Sequence, residues 1–233
     1  VVVAGLARSL VNFRGPLLCA MIDAGHQVVA CAPGYPEDVV AALAEMGVAY
    51  QEILLERTGT NPVSDMMTVY SLRRLFGQLR PDCALFYTIK PVIYGSLAAG
   101  YAGVPRVFSM ITGLGYTFGD SSLQQRLIRL PVQVLYRRAL RSNEAVFFQN
   151  PDDKELFIKS GLVDDPDRAI LINGSGVDLT YYREAPPVAD RTVFLLIARL
   201  IRDKGIYEYV EAARQVKQHY PNAVFRLLGP FAS

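Results

Sequence analysis

Short β-rich apolar runs alternate with helical stretches along this chain, and that alternation limits the fold more than any other feature. Val1–Ala4, Gln27–Ala32, Ala49–Leu55, Cys83–Tyr87, Arg106–Met110, Ala145–Gln149 and Ala169–Ile172 read as strands. Phe13–Ala24, Pro36–Met46, Ser64–Gln78, Ile93–Tyr101, Leu123–Ser142 and Asp152–Ser160 read as the helices between them. Strand runs that do not alternate with polar residues are buried on both faces, which is the habit of parallel sheets. Right-handed crossovers then wind the chain into an α/β, doubly wound parallel sheet.

The pattern breaks at Arg183–Asp190, a charged stretch with two prolines and no periodicity. It reads as a linker. After it the alternation restarts with a strand at Thr192–Ile197, a loop at Ala198–Lys204, a helix at Gly205–His219 and a strand at Ala223–Leu228. The expected organisation is residues 1–182, a linker at 183–190, and residues 191–233 as the start of a second domain. One βαβ unit is too little for an independent α/β domain. The alternative, that it extends the first sheet, has the linker against it. Val1 is not an initiator Met and the chain stops at Ser233, so both ends read as cut.

Composition narrows the partners. Lys and Arg number 24 against 22 Asp and Glu, with no polybasic tract, so nucleic acid is not expected. Cys19, Cys31 and Cys83 are odd in number, widely spaced and in apolar surroundings; they read as buried reduced thiols of a cytoplasmic protein. No apolar run reaches the length of a membrane span. His26 and His219 are the only histidines and stand far apart, which leaves no His-based triad or His-rich metal site.

Ligands of open parallel sheets sit beyond the carboxyl ends of the strands. The loop Gly5–Asn12 lacks the dinucleotide fingerprint, but offers Gly5, Ser9 and a helix N-terminus suited to an anion; an ordinary turn is the plain alternative. Thr88-Ile89-Lys90-Pro91 puts a cation at a helix N-terminus, where the macrodipole disfavours it. That points to an anionic ligand or to a surface lysine. Thr112–Asp120 places Gly113, Gly115 and Gly119 beside Tyr116 and Phe118, as a close backbone approach to a ligand or as an empty lid. Asn173–Asp178 reads as a turn and hinge. Ala198–Gly205 gathers Arg199, Arg202 and Lys204 before a helix, either as a diphosphate site or as solvated loop cations.

The helix after the third loop carries no acid between Asp120 and Glu144. Arg126, Arg129, Arg137 and Arg141 recur with Gln133 at steps of three or four, while Leu123, Leu127, Leu130 and Val134 form another face, and Pro131 should kink the helix. Such a helix can lie on an anionic membrane or can be a domain helix with a solvated Arg face.

Taken in order, these loops resemble glycosyltransferase family 4, the retaining transferases of GT-B fold. Ala198–Gly205 (ARLIRDKG) matches the family's R-x4-KG at Arg199, Lys204 and Gly205, and NGSGVDLTYY resembles its N-G-V-D segment. SLVNFRGPLL, TIKPVIYG and TGLGYTF are similar to the branch that builds bacterial surface polysaccharide on polyprenyl diphosphate carriers. The resemblance implies a Rossmann-like acceptor domain and the opening βαβ portion of a nucleotide-sugar domain. It implies that Arg199, Lys204 and Gly205 bind the donor diphosphate, so that no metal or other cofactor is needed. Gly5, Ser9, Thr88, Lys90, Gly113 and Gly115 are then expected on the acceptor side. The expected partners are a nucleotide-sugar, UDP-linked, a polyprenyl-diphosphate-linked acceptor, and an anionic membrane met by Arg126, Arg129, Arg137 and Arg141 at the inner face of the cytoplasmic membrane. The family's E-x7-E segment has no counterpart before Ser233, which implies a chain cut within its second domain and unable to transfer alone. The rival readings are a GT-B epimerase of UDP-sugars and a non-catalytic sugar- or lipid-binding fragment.

Overall fold

The computed structural model describes residues 1–57, 59, 61–113, 123–186 and 191–231, with backbone alone for 123–129. Its contacts divide into two units, Val1–Gly176 and Val177–Ser233.

The first unit is built on a seven-stranded sheet in the order β3-β2-β1-β4-β5-β6-β7. The strands are β1 (Val2–Val3), β2 (Val29–Ala32), β3 (Ala49–Glu52), β4 (Cys83–Tyr87), β5 (Arg106–Ile111), β6 (Ala145–Phe148) and β7 (Ala169–Leu171). Every ladder is parallel, so all carboxyl ends share one edge. The helices are α1 (Ala7–Asp23), α2 (Glu37–Glu45), α3 (Pro62–Leu79), α4 (Ser96–Ala102), α5 (Leu123–Leu140) and α6 (Pro151–Lys159). One core packs Leu10, Leu18, Val39 and Leu43 of α1 and α2 on one face of the sheet. The other packs Leu72, Phe76, Ala98, Tyr136 and Phe157, from α3 to α6, on the opposite face. This is the doubly wound α/β sheet expected from the alternation. Strand order reverses between β1 and β4, which makes that gap the switch point.

Local chemistry sets the boundaries. Asn61 caps α3 by accepting from the amides of Val63 and Ser64 at 3.1 and 3.4 Å, and Pro62 supplies the first helical residue. The helix therefore starts two residues before the apolar periodicity suggests. α1 begins at Ala7, earlier than Phe13, because most of the expected first loop is helix and only Gly5 and Leu6 remain as a turn. Before α4 the chain makes a π-type turn at Pro91–Gly95.

One further expectation, three buried cysteines, is corrected. On α5, Leu130 and Val134 are exposed, while Tyr136, Ala139 and Leu140 are buried. Pro131 lies within this helix. Of the cysteines, Cys31 is buried with its thiol pushed up to about 12 by desolvation, Cys19 is half-buried and Cys83 is exposed at the start of β4.

The second unit is a parallel pair, β8 (Val193–Ile197) and β9 (Val224–Leu228), joined by α7 (Ile206–His219). The linked pair continues past the strands, with the amides of Ala198 and Leu200 donating to the carbonyls of Leu228 and Pro230. Among the described residues no helix is long and apolar enough to cross a membrane.

Candidate functional site

The exits of β1 and β4 face each other at the switch point. Thr88 follows β4 with φ of 69°, a left-handed backbone carrying a branched side chain. Such a conformation is costly and persists only where its surroundings enforce it. Gly5 follows β1, and a Cβ built there would stand 2.8 Å from Thr88 Oγ1. Glycine at position 5 is what lets the two strand exits close on one another. Gly5 and Thr88, far apart in sequence, thus meet at the switch point.

Ser9 is buried in the first turn of α1. Its hydroxyl donates to the Leu6 carbonyl at 2.6 Å and lies 2.9 Å from the Tyr87 hydroxyl. With its one proton on Leu6, Ser9 accepts from Tyr87 and so props the Tyr87 ring. Tyr87 is buried, which raises its phenol above the ordinary range.

Arg14 was not among the expected site residues. Its side chain lies over the Tyr87 ring at 4.8 Å and only 4% of the residue is exposed. One terminal nitrogen donates to the Phe13 carbonyl at 3.0 Å and to Ser175 Oγ at 2.7 Å. Gln149, beyond β6, also donates to Ser175 Oγ at 3.2 Å. Arg14 Nε is buried with no hydrogen-bond partner, and no carboxylate pairs with the guanidinium among the described residues. Desolvation lowers its pKa from the ordinary value, opposed by Tyr87. The sequence carried a signal: Arg14 falls between Leu10 and Leu18, at steps of four on the apolar stripe of α1. Arg14 ties α1 to the segment after β7 through Ser175.

Lys90 is held in an ion pair inside the protein. Its ammonium meets Asp65 Oδ1 at 2.8 Å, with both side chains about 13–14% exposed. Tyr94 donates to Asp65 Oδ2 at 2.6 Å, and its phenol pKa is raised by burial and then by that bond. The cation at the helix start is therefore answered by an acid from the first turn of α3, where the dipole favours one. Position alone no longer argues for an outside anion. Gly113 follows β5 with φ of 136°. Gly115, like Tyr116, Phe118 and Asp120, lies outside the described residues, as do the side chains of Arg126 and Arg129.

Arg137 donates to the carbonyls of Gly161 and Ser160 at 2.8 and 3.0 Å. These are carbonyls at the end of α6 without a helical partner. Arg137 is thus an interhelix clamp, and Arg141 stands exposed in the turn after α5.

In the second unit, Arg199 leaves β8, a 3-10 turn spans Arg202–Lys204, and Gly205 takes φ of 73° before α7. Arg199, Arg202 and Lys204 are exposed and have no side-chain partner among the described residues. The Gly205 amide donates to the Arg202 carbonyl at 3.0 Å, so it is not free for a ligand. The first-turn amides of α7, from Ile206 to Glu208, are the donors left without a helical acceptor. A concavity of about 750 Å³ between His219–Ala223 and Arg191–Phe194 sits at the amino edge of this pair, away from the cations.

Among the described residues no group of three His, Cys, Asp or Glu is placed to hold a metal ion. A family described as "Glycosyl transferase 4-like domain" matches residues 13–174. The chain is 24% identical over 234 residues to an N,N'-diacetylbacillosaminyl-diphospho-undecaprenol alpha-1,3-N-acetylgalactosaminyltransferase of Campylobacter jejuni, covering 95% of this chain and 60% of that protein. It is 27% identical over 180 residues to a UDP-Gal:alpha-D-GlcNAc-diphosphoundecaprenol alpha-1,3-galactosyltransferase of Escherichia coli, covering 72% of this chain and 45% of that one. The chain thus spans about half of these relatives' length. Among solved structures it is similar to an Anabaena protein in complex with UDP and glucose, with a TM-score of 0.69, 14% identity, and coverage of 99% of this chain and 61% of that one. It is also similar to a UDP-GlcNAc 2-epimerase of Neisseria meningitidis bound to UDP-GlcNAc, with a TM-score of 0.62, 16% identity, and coverage of 99% and 65%.

Proposed function

The chain belongs to the glycosyl transferase 4-like family, and from that premise we propose that it is the acceptor-side unit, with the opening of the donor-side unit, of an enzyme that moves a sugar from a nucleotide-sugar to a polyprenyl-diphosphate-linked saccharide. Both relatives named above act on undecaprenyl-diphosphate-linked sugars, which supports this acceptor class. The observation that carries the reading is the meeting of the β1 and β4 exits at the switch point. There the backbone of Gly5 abuts a strained Thr88, and Gly113 follows the next strand. Backbone strain and a glycine at the ligand edge of a doubly wound sheet are what a binding cleft requires.

In this reading the acceptor diphosphate or its first sugar lies against Gly5, Thr88 and Gly113. Ser9, Tyr87 and Arg14 hold the floor, and Lys90 fixes α3 to it through Asp65. On the donor side, Arg199, Lys204 and the first amides of α7 receive the diphosphate of the nucleotide-sugar, UDP-linked in this reading. The acceptor hydroxyl oxygen attacks the donor's anomeric carbon as the bond from that carbon to the diphosphate breaks. The proton passes to the departing phosphate oxygen, and both events occur on one face, which retains configuration. The two cations stabilise the charge that grows on the leaving group. The reaction belongs to the cytoplasmic face of the membrane, where nucleotide-sugars are made.

The test incubates the whole protein with labelled UDP-sugars, with and without a polyprenyl-diphosphate-linked saccharide. Sugar transfer that depends on the lipid-linked acceptor, with the anomeric configuration kept, is the expected result. An epimerised donor, or an unchanged one, overturns the proposal.

A further inference from the structure

The face of α3 that points away from the core is apolar where solvent would call for polar residues. Val63, Met66, Met67 and Tyr70 are 67, 74, 55 and 70% exposed. Their spacing of three, four and seven residues puts them on one stripe of the helix. The opposite stripe is the buried one, with Thr68, Leu72 and Phe76. Further along the exposed line stand Arg73 and Arg74, both exposed. The only acid of the helix, Asp65, is spent on Lys90 and Tyr94.

The stripe is confined to the first half of α3, the half nearest the carboxyl edge of the sheet. Lys90 and Asp65 join that same half to the exit of β4. An exposed apolar stripe that runs into unpaired cations, beside a binding edge, has the chemistry of an interfacial helix: methionines and valine for the acyl boundary, tyrosine for the interface, arginines for anionic headgroups.

We infer that the outward face of α3 is a docking surface for an anionic lipid bilayer, and that it presents the β1/β4 switch point to the membrane. The choice of lipid as the occupant rests on the lipid-linked acceptor proposed above and on the sign of the charge.

The chain has no tryptophan, so one introduced residue gives a local signal. Met66→Trp places it on the stripe, and Tyr207→Trp, on the exposed surface of α7, is the control; circular dichroism checks both folds. On adding phosphatidylglycerol–phosphatidylcholine vesicles at low salt, Trp emission of the first variant should move to the blue and be quenched by brominated lipid. The control should stay unchanged. Adding Arg73→Gln and Arg74→Gln should weaken partition about fivefold for each charge removed. No vesicle-dependent change at position 66, or equal changes at both positions, overturns the inference. A blue shift that needs no lipid and grows with protein concentration also overturns it, by showing that a second copy covers the face. Transfer assayed with a detergent-solubilised acceptor separates the two proposals. Transfer without vesicle binding removes the docking surface and keeps the enzyme; vesicle binding without transfer does the reverse.

Discussion

At Thr88 a branched side chain holds a left-handed backbone, and Gly5 makes room for it. The pair should behave as one energetic unit. Gly5→Ala should destabilise the first unit by about 1–3 kcal/mol, since its new methyl would overlap Thr88 Oγ1. Thr88→Gly removes both the obstacle and the strain, so the double variant should recover most of that loss. Urea unfolding of the four proteins reads the coupling directly; additive effects would break the link between the two residues. Arg199 and Lys204 call for a kinetic test instead. A charged hydrogen bond contributes about 1.5–3 kcal/mol, so Arg199→Ala and Lys204→Ala in the whole protein should each lower kcat/KM by roughly 10- to 100-fold. Arg202→Ala should stay near the parent. All three are exposed loop cations, and thermal stability should move little. If Arg202→Ala is as damaging as Lys204→Ala, the diphosphate assignment fails. Residue roles were the least legible part of the sequence. Gly5 and Thr88 could be named from their loops, but their mutual contact depends on sheet order. The internal contacts of Lys90 and Ser9 were illegible because Asp65 lies on a different helix and Tyr87 arrives from a distant strand.

Among the elements, α5 is where composition and packing diverge most. Its arginine periodicity suggested a single cationic face, yet Arg137 is engaged with the last carbonyls of α6. Arg137→Gln should therefore cost about 1 kcal/mol, in contrast to a solvated arginine, whose loss is near neutral. Thermal unfolding of Arg137→Gln beside Arg138→Gln checks this; equal melting temperatures would return Arg137 to the solvated face. The existence and order of the elements were legible because buried parallel strands leave long apolar runs and the helices between them carry a different period. Their ends were less so. α1 gained six residues at its start because Leu6 offers no capping side chain for periodicity to mark. The exposed apolar half of α3 was invisible for a related reason. Periodicity reveals that a helix has two faces, but both faces of α3 carry apolar residues, and only the packing of Leu72 and Phe76 shows which one is buried.

At the scale of the molecule, the two units differ in how they are held. The first has buried cores on both faces of its sheet. In the second, Ala223 is the one described residue that is buried, while Phe194, Leu195, Ile197 and Leu228 are exposed. Within the first unit, β1, β4 and β5 lie inside the sheet while β3 and β7 are its outer strands. Native-state hydrogen exchange should show the slowest amides in β1, β4 and β5 and faster ones in β3 and β7. Equal protection of inner and outer strands would contradict the packing. Cys83 has one more consequence, which concerns handling rather than catalysis. It stands exposed at the start of β4, whereas Cys31 is buried with its thiol pushed up to about 12. A maleimide added near neutral pH should therefore modify Cys83 well before Cys31, and storage without reductant should link copies through position 83.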